Sequence, residues 1–310
     1  MIRTFFIRII LFAIPLTVLF FIGLCLPTTP HSFSSFLFEQ IRKDSLLRHA
    51  PEPRMIFIGG SNLTYGLHSQ MLKDSLHFNP VNAALAFQLG LEYMLDHTWP
   101  FVKAGDIVIL IPEYDLFYGD SYKGFGELPV RMLGEVSKDW QSLRLKHLQY
   151  LPKIAFSRFD PRQYLHLPID SMRTPAAFNQ YGDVYLHWSR PNKQVKPGSI
   201  RTANQKINPI AIHKMQNFSD SLAVRGARMF VSYPSFMESS FRYNEAAIRL
   251  IEAAYKQVGF HVLGTPDRYM IPDSLMFDMH YHPGKQGVDL RTQLLINDLK
   301  FLTMQDNEHK

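Results

Sequence analysis

Apolar residues fall along this chain in three kinds of run. The first is N-terminal: residues 9–26 are uncharged and almost wholly Ile, Leu, Phe and Val, with Arg3 and Arg8 on the preceding flank. That length approaches what a bilayer-crossing helix needs, and the positive flank directs the N-terminus to the cytoplasm and the rest of the chain outside. No small-x-small cleavage site follows, so residues 1–27 are expected to be a retained anchor rather than a removed signal peptide. Pro15 is tolerable inside such a helix. Residues 28–50 read as a linker, broken by Thr28, Thr29 and Pro30, and a lead-in helix over 38–49.

The second kind is short and continuous. Residues 55–58 and 107–111 are apolar runs bounded by turn residues, and 228–232, 78–83 and 260–263 are weaker versions. Such runs suit parallel strands buried on both faces. The third kind has helical spacing, over 68–76, 88–101, 212–224, 245–258 and 285–302. Strands alternating with helices predict an α/β domain over 51–310 with a doubly wound, mainly parallel sheet. Residues 116–207 are less regular and rich in aromatics and prolines. They are expected to form an insertion that covers the sheet edge and shapes a cleft, with 178–183 a structured loop whose Asn179 and Asp183 face that cleft.

Composition narrows the partners. Across 310 residues the chain is 46% apolar and 19% charged, with a net charge of +6. The length supports a sizeable core, and the mildly basic balance suits an anionic membrane surface or an acidic polymer. No dense Lys/Arg block or nucleic-acid motif is present, so nucleic acid is not an expected partner. The single cysteine, Cys25, excludes an internal disulfide framework. Leu24 before it is too large for a lipid-attachment signal.

Two stretches carry candidate chemistry. The run 55–58 ends in Gly59-Gly60-Ser61-Asn62, which puts a hydroxyl at the carboxyl edge of a sheet, where open α/β sheets bind ligands. A serine hydroxyl needs a general base, usually oriented by a carboxylate. Asp278-Met279-His280-Tyr281-His282-Pro283 supplies both near the far end of the chain. Asp278 is placed to orient His282 across a short turn, with Ser61 as nucleophile and His280 as the alternative base. Asp278, His280 and His282 also alternate as metal ligands do, but no further ligand cluster accompanies them, so neither metal nor cofactor is expected.

These residues resemble the SGNH (GDSL-like) hydrolases. Gly59-Gly60-Ser61 is similar to their Gly-Asp-Ser block, and His282-Pro283-x-x-x-Gly287 to the tail of their last block. The resemblance implies a three-layer α/β/α sandwich, with Ser61 as nucleophile, His282 as base and Asp278 as its orienting acid. It also implies esterase or acyl-transfer activity, the membrane-anchored members modifying cell-surface glycans. Asp278 stands one residue further from its histidine than the family spacing. In the oxyanion hole, Ala83 matches the family's second-block glycine through its backbone, and Asn62 is a further donor. Glu113 and Tyr114 stand where the family has an asparagine, and a carboxylate cannot donate to an oxyanion unless protonated. The expected substrate is an acylated glycan or lipid. A non-catalytic accessory protein partnering an integral-membrane acyltransferase is the competing class.

Overall fold

A computed structural model describes residues 2–165, 169–201 and 206–301. The expected start of the anchor at 1, the end of the last helix at 302, and 166–168 and 202–205 of the irregular stretch lie outside them. The N-terminal apolar run forms α1 (Ile2–Cys25), about 36 Å long at 1.5 Å per residue. An 18-residue window of it has a mean hydropathy of 2.6 and nearly all of its side chains are exposed, so it is long and apolar enough to cross a membrane. At its end Gly23 lies against another helix so closely that an added Cβ would stand 2.3 Å from the Ala155 carbonyl oxygen.

After α2 (Pro30–Phe33) and α3 (Glu39–His49) comes β1 (Arg54–Gly59), buried along its whole length. The serine turn is itself helical, as α4 (Ser61–Gly66), before α5 (Ser69–Leu76) and β2 (Asn79–Asn82). The helix expected over 88–101 is broken at Gly90, whose φ of 89° suits glycine and whose Cα side faces the Gly124 backbone. The regular part is α6 (Leu91–Thr98), followed by β3 (Ile107–Ile111). Short helical turns fill the irregular stretch, with α7 (Leu128–Arg131) and α8 (Leu151–Ser157) among them. Regularity returns with α9 (Pro209–Val224), β4 (Arg228–Val231), β5 (Phe236–Met237) and α10 (Glu238–Val258). The chain closes through β6 (Met270–Ile271), β7 (Met276–Met279), β8 (His282–Pro283) and α11 (Lys285–Leu299).

The fold is α/β with a mainly parallel central sheet of order β2-β1-β3-β4. Met55 faces Pro80 on one side and Ile107 on the other. The expected strand over 260–263 contributes only one parallel bridge, Val262 to Val231, before Gly264 at φ 68° turns the chain away. Because β1 pairs with both β2 and β3, strand order reverses between β1 and β3. Ligands of open α/β sheets bind at the carboxyl edge beside such a reversal.

Within residues 178–183, Phe178 lines the cavity that also holds Ser61, whereas Asn179 and Asp183 form a tie rather than a cleft wall. Asp183 is fully buried and accepts from the Ser69 N–H (2.9 Å) and hydroxyl (2.7 Å), from Asn82 Nδ2 (2.9 Å) and from Asn179 Nδ2 (3.1 Å). Lys43 joins the same knot by donating to the Asn82 and Gly182 carbonyls at 2.7 and 2.6 Å.

At the opposite, amino edge of the sheet, Arg54 opens β1 and pairs with Asp106 just before β3. Both are buried, with Nε donating to Oδ1 at 2.8 Å. Arg54 also donates to the Leu47 and Phe101 carbonyls. Removing one partner leaves a buried charge uncompensated. Asp106→Ala is therefore expected to lower unfolding free energy by about 3–5 kcal/mol, read by urea denaturation in detergent. A loss near zero would show that the pair does not hold the two strands.

Candidate active site

Gly60 lies between β1 and α4 and puts Ser61 at the first helical position, at the carboxyl edge beside the strand reversal. The first N–H groups of a helix have no intrahelical acceptor. Here Glu113, just past β3, supplies two. Its Oε2 accepts the Gly60 N–H at 3.1 Å and its Oε1 the Asn62 N–H at 3.0 Å. Glu113 is fully buried, and burial pushes its carboxyl up to about 7 against the opposing pull of the Asn62 hydrogen bonds. The carboxylate fills the space a side chain at position 60 would need: an added Cβ there would meet Oε1 at 2.4 Å and the Phe87 backbone nitrogen at 2.6 Å. Gly60 and Glu113 thus touch each other.

The second half of the site is the antiparallel pair of β7 and β8, turned through His280 and Tyr281, which brings Asp278 and His282 together. His282 Nδ1 lies 2.9 Å from Asp278 Oδ1. Burial works to raise the Asp278 pKa, but the His282 hydrogen bond and the nearby positive charge hold it below the ordinary value. Tyr65 of α4 stacks flat on the His282 ring, with centroids 4.2 Å apart and planes 7° apart. His187, buried beside Tyr65, contacts the Pro283 carbonyl through Nε2 at 3.1 Å; burial depresses its pKa to about 4, so it is a neutral donor that steadies β8. His282 Nε2 is buried and has no hydrogen-bond partner.

Ser61, Tyr65, Asp278 and His282 line one cavity of about 490 Å³. His31, Ser35 and Phe36 line it from the segment after α1, and Arg131 and Arg173 add positive charge. A slightly larger cavity of about 530 Å³ around Tyr93, His97 and His147 contains none of the expected site residues. Since Ser61 shares the first cavity with an oriented histidine, chemistry rather than size singles it out.

Other expected residues are placed differently. The Ala83 N–H donates to the Phe57 carbonyl at 3.0 Å and so is spent in the sheet. Asn62 is buried, with its N–H on Glu113 and its Nδ2 on the Ile111 carbonyl at 3.1 Å. The Ala83 N–H is thus taken, and Asn62 is fully buried and does not line the cavity, so neither presents a donor to an oxyanion formed there. Glu113 braces the serine turn, and Tyr114 is buried away from the cavity with its N–H on the Tyr281 hydroxyl. His280 packs against Phe236 and Tyr281 and does not line the cavity. The backbone N–H of Ser61, first in α4 and without an intrahelical acceptor, is the donor sequence reasoning missed. Among the described residues no group of His, Cys, Asp and Glu is arranged to hold a metal ion.

No protein-family model matches the chain, and no curated protein matches it.

The brace predicts two outcomes. Gly60→Ala overpacks a closed site and is expected to destabilise by about 1–3 kcal/mol in thermal or urea unfolding; a neutral substitution would mean that Glu113 and Phe87 yield freely. Glu113, raised from 4.5 to about 7, binds a proton in the folded protein that the unfolded chain has already released. The folded state therefore gains least above that window, and stability falls as pH rises from about 4.5 to 7. Melting temperatures across this range are expected to fall more steeply for the native protein than for Glu113→Gln. Parallel curves would place the titration elsewhere.

Proposed function

We propose that this chain is a membrane-anchored serine esterase or O-acyltransferase of the SGNH type, acting on acyl esters of a cell-surface glycan or lipid. The observation that carries the reading is the oriented Asp278–His282 pair, with Nε2 unpartnered, in the same cavity as Ser61 at the strand reversal. The parallel sheet is compatible with the three-layer sandwich of that family. Arg3 and Arg8 ahead of the apolar run support an extracytoplasmic body.

In the proposed reaction Ser61 Oγ attacks the acyl carbonyl carbon while His282 Nε2 takes its proton. Asp278 holds the imidazole by Nδ1 and stabilises the imidazolium. The Ser61 N–H faces the oxyanion. Collapse expels the alcohol, which leaves with the proton from His282, and an acyl-serine remains. Water then attacks to complete hydrolysis, or a sugar hydroxyl attacks to complete transfer, with His282 again the base.

A second reading is favoured by the committed Asn62 and Ala83 donors and by the lack of a Ser61–His282 hydrogen bond. It is a non-catalytic accessory role beside an integral-membrane acyltransferase. The two readings part on one experiment. A fluorophosphonate probe is expected to label the native protein, Ser61→Ala to remove labelling, and Asp278→Asn to slow it by about 10²–10⁴-fold. Absence of labelling on folded native protein would leave the accessory role.

A further inference from the structure

The contact between α1 and α8 fixes where the rest of the molecule stands relative to a bilayer. Gly23 is two residues from the end of α1, about 3 Å along its axis. Its Cα meets the Ala155 backbone so closely that no side chain fits between them. The apolar run 9–26 spans about 27 Å, close to the roughly 30 Å hydrocarbon thickness. A helix that touches Gly23 is thus held at the hydrocarbon boundary, inside or beside the headgroup layer.

The side chains around α8 fit that position. Phe156 is 40% exposed, Phe159 42%, Leu148 46% and Tyr164 46%, close together in the chain around the helix that meets α1. Phe33, 53% exposed, adds to them from α2, and Thr29 beside it hydrogen-bonds Gln163 at 3.3 Å. Aromatic residues with a half-exposed apolar surface are characteristic of the membrane–water interface. A monomeric soluble surface has no reason to gather them at the foot of a hydrophobic helix.

We propose that α8 and its flanking turns form a foot seated in the interfacial layer of the bilayer. The occupant of this surface is lipid, and the inference rests on the reading that α1 spans the membrane; it holds whichever side the body occupies. One consequence concerns the substrate. His31, Ser35 and Phe36, which line the Ser61 cavity, belong to the segment that leaves α1 and packs beside the foot. On this proposal one wall of the cavity comes from the segment seated beside the foot, and acyl substrates approach it from the membrane side.

The test uses the full chain with Cys25→Ser, reconstituted in vesicles of phosphatidylethanolamine and phosphatidylglycerol. Spin labels are placed singly through Phe156→Cys, Phe159→Cys and Val224→Cys. Val224 is 92% exposed at the end of α9, at the amino edge of the sheet away from the site. The ratio of oxygen to water-soluble nickel-complex accessibility is expected to be severalfold higher at 156 and 159 than at 224. Equal ratios would overturn the foot. Labels shielded from both reagents would show a protein covering instead, such as a second copy, and would also overturn it. Alkaline carbonate extraction separates the premises: release of the protein removes the anchor and the foot together, while retention with equal ratios removes the foot alone. Probe labelling of Ser61 is independent of both.

Discussion

The segment Pro112-Glu113-Tyr114-Asp115, where β3 ends, holds the two halves of the site in one place. Glu113 accepts the N–H groups on either side of Ser61. Two residues on, Asp115 Oδ2 accepts the Tyr281 hydroxyl at 2.8 Å, and that hydroxyl in turn accepts the Tyr114 N–H at 3.2 Å. Tyr281 is in the turn between Asp278 and His282. One strand end thus fixes the serine by one carboxylate and the histidine by another, although the two lie more than two hundred residues apart in the chain. These bonds are buried and polar, so each is worth most when every partner is present.

Around this brace the remaining contacts are positioning devices. Met237 of β5 donates to the His280 carbonyl at 2.9 Å, and Ser235 Oγ to the Tyr281 carbonyl at 3.2 Å. The turn is therefore pinned on the side away from the cavity, which is where His280 points its ring against Phe236. His282 emerges on the other side, clamped between Tyr65 and Asp278. Backbone direction separates the two histidines: two residues apart on a tight turn, His280 is packing and His282 lines the cavity that Ser61 also lines.

Much of this was legible from residue patterns, and the failures share a cause. Continuous apolar runs marked β1 and β3 because strands buried on both faces leave no polar position. The run at 260–263 has the same look but too little length to keep pairing before Gly264. The start of α10 was hidden because Ser239, Ser240 and Asn244 are polar, yet Ser240 and Asn244 are buried and bonded to the backbone around Gly198. In the site, Ser61, Asp278 and His282 were readable because their chemistry is in the side chain. The availability of donors was not, since it depends on which N–H groups the sheet and Glu113 have already taken. Asp183 misled for the same reason: a loop carboxylate looks available until four donors are found on it.

Glu113 is the residue whose meaning changes most. Under the resemblance to the SGNH hydrolases it stands where a neutral donor is expected, and a carboxylate there repels an oxyanion. Its carboxylate instead points at the backbone of the serine turn and occupies the volume left by Gly60, so it does not stand where an oxyanion would form. The cost is indirect. It takes the Asn62 N–H out of play, and the sheet takes that of Ala83, which leaves the Ser61 N–H. Each missing donor costs on the order of 10²–10³ in rate. On the proposed reading such a site is slow toward stable esters and depends more on holding its acyl substrate in place. On the same reading, the proposed seating of the body on a membrane would confine the substrate to two dimensions near the cavity, a setting in which positioning can offset a weak oxyanion hole.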